Sequence, residues 1–342
     1  MTRNQNAATD IPAGRKPPAF GARAPTRRQR RMLLGLAVLA TVGALAVLGT
    51  YLGHAGGLTN CAPAPGNCSY PDATNTGVPA GTTLRQVPSQ VSSGPGWSFS
   101  AAGHDVVVTV RGTVLSDLYI PYNLVISASG VTVRDVQVVA GGNFGISLVH
   151  AAGVTIEDST INGPNPTNYR VGSAIADLHL DSTGMVIKDN NIYNFRTGIQ
   201  ISTGLITGNY IHDPGYRGGD HTNGIYVNGG TQPLTISGNT IFNKLGQTDA
   251  INLDAGTPGP SAPVANKTVT DNFLAGGGYT IYGGASKGSP TSNIRITGNR
   301  FGQLYNNQSG QYGAVIYFNA KGSGNTWSGN TWDTTGQTIA AR

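Results

Sequence analysis

Glutamate is almost missing from this 342-residue chain, where Glu157 is the only one. Any reaction that needs a carboxyl pair must therefore use aspartates. Cysteine is confined to Cys61 and Cys68, too few for a disulfide framework. Their spacing is wider than CxxC and partner ligands are lacking, so they do not form a zinc site. No zinc motif occurs elsewhere, and no Ser-His-Asp arrangement stands out. The 50 glycines are scattered as chain corners and form no phosphate-cradling loop. Beyond the N-terminal segment, no stretch has a convincing helical period.

The charge is unevenly placed. The chain totals +6, and eight of its 22 Lys and Arg precede Met32, against one acid there, Asp10. The remainder carries 14 basic and 15 acidic residues, close to −1. The basic pI belongs to the tail, so the folded part offers no reason to expect nucleic-acid binding. Residues 1–31 are rich in Arg, Pro and Ala and read as a disordered basic tail. Residues 32–52 run MLLGLAVLATVGALAVLGTYL without a charge. That length spans a bilayer as a transmembrane signal-anchor. The basic flank and Ala44-Leu45-Ala46 fit a cleavable signal peptide as well. Either way the positive flank stays in the cytoplasm and the rest is exported, membrane-anchored or secreted. Residues 53–81 read as a Gly, Pro, Asn and Thr-rich linker. In an exported chain, Cys61 and Cys68 pair as a local disulfide.

The folded part repeats itself. Two strand-like phrases alternate down residues 82–342. The first appears as GISLV at Gly145, LHLD at Leu178, GIQIS at Gly198, GIYVN at Gly224, AINLD at Ala250, TIYGG at Thr280 and VIYFN at Val315. The second appears as VTIEDSTI, VIKDNNI, LITGNYI, LTISGNTI, TVTDNFL, IRITGNRF and TWSGNTW. A period of about 20–35 residues with two strands in each repeat is a solenoid signature. Strands this short bury an apolar face only against their equivalents in the next repeat. The spacing therefore predicts an all-β fold, a parallel β-solenoid with one coil per repeat. The first coil needs a cap, and residues 83–97 are expected to supply it.

These phrases resemble the right-handed parallel β-helix (pectate-lyase-like) superfamily, and more closely the secreted right-handed β-helix repeat proteins of actinobacteria. The resemblance runs from Val78 to the C-terminus. It implies a single-stranded right-handed parallel β-helix, which the apolar run at residues 32–52 precedes as one N-terminal transmembrane or signal helix. It leaves the chemistry open, because that superfamily holds lyases, hydrolases, epimerases and inert stalks.

An asparagine recurs in the second phrase as Asn190, Asn209, Asn239, Asn272, Asn299 and Asn330, behind a Gly or Asp. Such residues suit a sharp corner, and stacked amides can hydrogen-bond along the solenoid. The row is read as scaffold. The first phrase points to function. Aligned on Ile146, Leu178, Ile199, Ile225, Ile251, Ile281 and Ile316, its outward rows contain His179, Gln200, Tyr226, Asn252, Tyr282 and Tyr317, then Asp181, Asn228, Asp254 and Asn319. Such a face, with three tyrosines and no Lys or Glu, suits a sugar polymer laid along the helix axis. Gln200, Tyr226, Asn228, Asn252, Tyr282 and Tyr317 are the expected binding residues.

The expected catalytic residues are His179, Asp181, Asp220, His221, Asp249, Asp254 and Arg196. Asp-Leu-His-Leu-Asp at Asp177 puts three titratable groups on one face by period 2. Glycoside hydrolysis needs two carboxyls, for which Asp220 or Asp249 can partner Asp254. QTDAINLD resembles the Asp-bearing strands of polygalacturonases, whose Gly-His-Gly and Arg-x-Lys phrases are missing. A lyase needs a base and a cation, which His179 or His221 and Arg196 or Arg217 can supply. The calcium-binding Asp set and Trp-Ile-Asp-His phrase of pectate lyases are absent, so no cofactor is expected and calcium has no dedicated ligands here. The expected partner is an extracellular polysaccharide bound by a monomer. The competing class is a non-catalytic carbohydrate-binding or structural module.

Overall fold

The computed structural model describes residues 60–164, 172–256 and 262–341. The chain divides into two units, 1–55 and 56–342, and all described residues belong to the second. The expected basic tail and apolar run lie outside them. No helix among the described residues is long and apolar enough to cross a membrane.

The described chain is built of strands, with two short 3-10 turns at Pro65–Cys68 and Ser286–Gly288. From Phe144 onward one order recurs: a front strand, then two back strands. The front strands are Phe144–Leu148, Ser173–Asp177, Thr197–Gln200, Asn223–Tyr226, Asp249–Asn252, Tyr279–Tyr282 and Gly313–Ile316, and they define coils one to seven. Each pairs in parallel with its equivalent in the next coil. Ile146 pairs with Ile175, and the column continues through Ile199, Ile225, Ile251, Ile281 and Val315. With strands that precede Phe144, the seven front strands make up an 11-stranded sheet and the back strands a 17-stranded one. Between them lies one core of stacked Ile, Leu and Val. Strand-to-strand spacing makes each coil rise about 4.8 Å. The result is a parallel β-solenoid.

The asparagine row works as scaffold, in a specific way. The residue before each Asn takes the left-handed conformation: Asp189, Gly208, Gly238, Asp271, Gly298 and Gly329 have φ between 55° and 67°. The Asn itself closes the corner. Asn239 Oδ1 accepts the Asn209 backbone N–H at 3.0 Å and Asn209 Nδ2 at 2.9 Å. Asn239 Nδ2 donates to the carbonyls of Ile206 and Ser237 and to Asn272 Oδ1. Buried backbone groups that a sharp turn would orphan are thereby satisfied from coil to coil. The same ladder links Asn272 to Asn299 and Asn299 to Asn330.

Val87 and Trp97 enter the core from the region expected to cap the first coil. Antiparallel strands Trp97–Ser100 and Asp105–Val108 border the front sheet there. The described part of the stretch expected as a linker, from Asn60 on, is a strap. Cys61 and Cys68 are joined in a disulfide, and the Cys61 and Ala62 N–H groups donate to Asp333 Oδ2 in coil seven. Asp333 also binds Arg300. Farther on, Tyr70 packs on Phe273 of coil five. Gly77 N–H then reaches Asp189 O in coil two. Val78 N–H reaches Thr160 Oγ1 in coil one, and Arg85–Gln86 pairs with Leu118 and Tyr119. Residues 60–86 thus run the length of the stack against chain direction.

One feature of the front strands places the site. The residue before the core Ile is small in coils one to five: Gly145, Ala174, Gly198, Gly224 and Ala250. A Cβ on Gly224 would stand 2.3 Å from Ile241 Cγ2 and 2.5 Å from Ala250 O. This position therefore points inward together with the Ile that follows. Two inward residues in succession leave residues three apart, not two, on the outer face.

Candidate functional site

That bend brings Asn223 and Tyr226 outward together, and likewise Asp249 and Asn252. They sit where coils three to five form a cleft of about 350 Å³. Its floor is made by Gln200, Tyr226 and Asn252, which are consecutive partners in the front sheet. Arg196, Asp220 and His221 line it from the turns that lead into the front strands. Gly219, Thr197, Asn223 and Thr248 complete the lining. Of the expected site residues, the structure therefore gathers Arg196, Gln200, Asp220, His221, Tyr226 and Asn252 around one cleft.

Asp249 stands on the same side of its strand as Asn252 but is covered, with no exposed surface. Asn252 Nδ2 donates to its Oδ2 at 2.9 Å. The Asn223 amide, with its nitrogen turned to the same carboxylate, donates at 3.1 and 3.2 Å. Burial raises the Asp249 carboxyl well above its ordinary range, against the lowering effect of the Asn252 hydrogen bond. Asp249 fixes two cleft amides and cannot itself reach a ligand. Asp220 is only 4 % exposed, and its Oδ2 accepts the Arg217 N–H at 3.0 Å. Asp254 is held by the Gly284 N–H at 3.1 Å, and burial raises its pKa.

His221 is exposed at the rim. Its Nδ1 lies 3.3 Å from Thr248 Oγ1, which leaves Nε2 to the cleft. Arg196 has a buried Nε with no hydrogen-bond partner among the described residues. That Nε is shut away from a ligand, but Arg196 is only half-buried and lines the cleft, so its guanidinium can partner an oxyanion there. The Tyr226 hydroxyl donates to Asn228 Oδ1 at 3.1 Å, and Gly256 presses against it so closely that a Cβ there would collide. Its ring, not its hydroxyl, is the part available to a ligand.

Several expected positions are corrected. Leu178 is not the core residue of coil two. Ile175 is, so Ala176 occupies the place assigned to His179. The strand ends at Asp177, which is buried and holds the Ser182 N–H and hydroxyl. Leu180 then turns left-handed at φ 59°. The Asp-Leu-His-Leu-Asp group therefore shares no strand face. His179 instead stacks on His150 with ring centroids 4.4 Å apart, and Asp181 binds His150 Nδ1 at 2.5 Å. This exposed patch lies outside the cleft. Asn228 is 2 % exposed with φ 60°, so it braces Tyr226 and does not line the face. In coil seven Val315 is the core residue, and Tyr317 follows the strand in the turn. Tyr282 keeps its expected place beside Asn252.

Thr248 was missed by sequence reasoning, and Asn223 was noted beside Asp220 and His221 ahead of its strand but not counted among the site residues. The small residue before the core Ile is the signal that would have given the register and, with it, the outward position of Asn223. Outside the cleft, His212 lies on the back sheet, bonded to Asp213 and Asn191. The sole glutamate, Glu157, pairs with Lys188 across two back strands. Among the described residues, no three His, Cys, Asp or Glu side chains converge as metal ligands. No protein-family model matches this chain, and neither a curated protein nor a solved structure matches it.

Proposed function

We propose that this chain is an exported β-helix protein of the right-handed, pectate-lyase-like kind, and that it cleaves an extracellular uronate-containing polysaccharide by β-elimination. One observation carries the elimination reading: an exposed imidazole and a half-buried arginine line the cleft, while its carboxylates are withdrawn. Asp249 has no exposed surface and Asp220 is 4 % exposed. An acid and base pair flanking a glycosidic bond needs two accessible carboxyls. Elimination needs a base and a cation.

In this reading the Arg196 guanidinium binds the uronate carboxylate and stabilises the charge that develops on it. His221 Nε2 takes the proton from the carbon next to that carboxylate. The electron pair left behind forms the new C=C bond as the C–O bond to the leaving sugar breaks. The leaving oxygen takes a proton from the imidazolium or from water in the open cleft. Thr248 orients the imidazole. Asp249 acts only by holding Asn223 and Asn252 in place against the sugar hydroxyls.

The test is to incubate the protein with polygalacturonate, alginate and a glycosaminoglycan, and to follow both ultraviolet absorbance of the unsaturated product and new reducing ends. Absorbance that rises with reducing ends, and is lost in His221→Ala, supports elimination. Reducing ends without absorbance would make the protein a hydrolase. Binding without either would make it a carbohydrate-binding module.

A further inference from the structure

The front sheet carries a second group of side chains beyond the cleft, and the elimination reading does not use it. Tyr282 follows Asn252 in the sheet. Around it are Tyr279, three residues earlier on the same strand, Tyr312 from the turn before coil seven, and Tyr317 from the turn after it. Ring centroids lie 6.1 Å apart for Tyr279 and Tyr282, 5.8 Å for Tyr279 and Tyr312, and 5.8 Å for Tyr282 and Tyr317. Tyr312 is 60 % exposed and Tyr317 is 43 % exposed, among the largest exposures of any bulky apolar side chain described.

Tyr317 sits at φ 58°, in the left-handed region. The bend there turns the Tyr317 ring onto Tyr282, outside the core. Burial, and then the negative charge of Asp249, push the Tyr282 phenol up to about 12. Like any tyrosine hydroxyl, it is a neutral donor at physiological pH. Aromatic faces edged with neutral hydroxyls match the apolar ring face and hydroxyl rim of a pyranose.

We infer that Tyr279, Tyr282, Tyr312 and Tyr317 form a stacking platform for sugar rings distant from the reacting bond, which makes a long polymer the preferred substrate over a short oligosaccharide. This rests on the cleft reading for where the bond is cut. Front-sheet partners run Gln200, Tyr226, Asn252, Tyr282 and Ile316. Those four coil steps cover roughly 19 Å, room for a chain of several sugars from Arg196 to Tyr317. Binding energy gained at the platform is available to the reaction only when the chain reaches it.

The experiment uses the full-length chain with polygalacturonate and alginate, each as polymer and as trisaccharide. Binding is read by affinity electrophoresis and calorimetry, and turnover by product absorbance. Tyr312→Ala with Tyr317→Ala should weaken polymer binding about tenfold or more, at about three- to tenfold per ring. The trisaccharide should bind as before, and the near-ultraviolet spectrum should report a folded protein. Tyr317→Phe keeps the ring and should restore most of the binding. Arg196→Ala should weaken polymer and trisaccharide alike. If the tyrosine variants bind polymer like the parent while Arg196→Ala does not, the platform is overturned and the cleft stands. If the tyrosine variants lose polymer while Arg196→Ala changes nothing, the cleft reading fails and the platform stands. If the parent binds neither polymer, both are overturned.

Discussion

The back corner and the front cleft are made by the same repeat, with similar residues, and do opposite things with them. At the back, asparagines from successive coils are fully buried, and each amide is spent on its neighbours. At the front, Gln200, Asn223 and Asn252 line an open cleft beside an arginine with an orphaned Nε. A repeated polar residue is scaffold when its partners lie in the next coil. It is a candidate site when the stack leaves its hydrogen-bonding groups facing a cavity. The bend at the small residue decides which outcome the front strand has, because it turns two residues inward in succession and opens the outer face between columns.

The comparison can be broken first at the front. His221→Ala should lower turnover about 10²–10⁴-fold, the range for loss of a general base, and leave the melting temperature unchanged. Kinetics and a thermal melt on one preparation check both halves. At the back, Asn239→Leu removes both bonds accepted by Oδ1 and three donated by Nδ2. Each orphaned buried group costs about 1–3 kcal/mol, so a net loss of about 3 kcal/mol is expected. In a domain this large that lowers Tm by roughly 6–12 °C, as a denaturant or thermal melt would read.

A third contrast lies within the core. Lys267 is fully buried in a column otherwise formed by Leu234 and Ile294. Its Nζ donates to the carbonyls of Ser202 at 2.9 Å and Gln232 at 2.6 Å. Burial lowers its pKa from 10.5 to about 8. Between those values the unfolded chain holds a proton that the folded chain has released, so stability rises with pH across that window. Tyr210, Tyr282 and Tyr305 act the other way. Their folded pKa values are raised to about 12, so their contribution is present below pH 10 and is lost as pH climbs towards 12. A melting temperature that rises from about pH 8 to 10 and then falls is expected, with a gain on the order of 1–2 kcal/mol after solvent relaxation. Lys267→Met should flatten the rise and leave the fall.

The smallest effect belongs to the strap. Asp333→Asn keeps one acceptor for the Cys61 and Ala62 N–H groups but weakens the tie to Arg300. A loss of about 1 kcal/mol is expected. It should be accompanied by faster amide exchange in residues 60–72 than in the coils.

The coils were legible in the sequence because each carries both phrases in phase, and the asparagine row was legible because Gly-Asn and Asp-Asn steps have few other uses. The cleft was legible in part. Arg196, Asp220 and His221 stand beside strands that were placed correctly, and Tyr226 and Asn252 follow an unmistakable core Ile. His179 was misplaced because LHLD imitates a strand by period 2, whereas SAIAD, with the small residue before its Ile, is the strand. The burial of Asp249 was hidden for a related reason: period 2 puts it out of phase with Asn252, and only the bend makes them neighbours. The strap has no periodicity to read, since its hold on the solenoid comes from backbone groups meeting single side chains such as Asp333 and Thr160.

The proposed function divides each coil into a front that works and a back that supports. Its most direct test measures turnover on a uronate polymer and unfolding free energy together, for the parent, Arg196→Ala and Asn239→Leu. The predicted result is a crossed pattern. Arg196→Ala should lose at least about a hundredfold in kcat/KM, the scale of losing an oxyanion donor, at parental stability. Asn239→Leu should lose about 3 kcal/mol of stability and retain near-parental kcat/KM at temperatures where it is folded. Parental turnover in Arg196→Ala, or specific loss of turnover in a fully folded and equally stable Asn239→Leu, would contradict it.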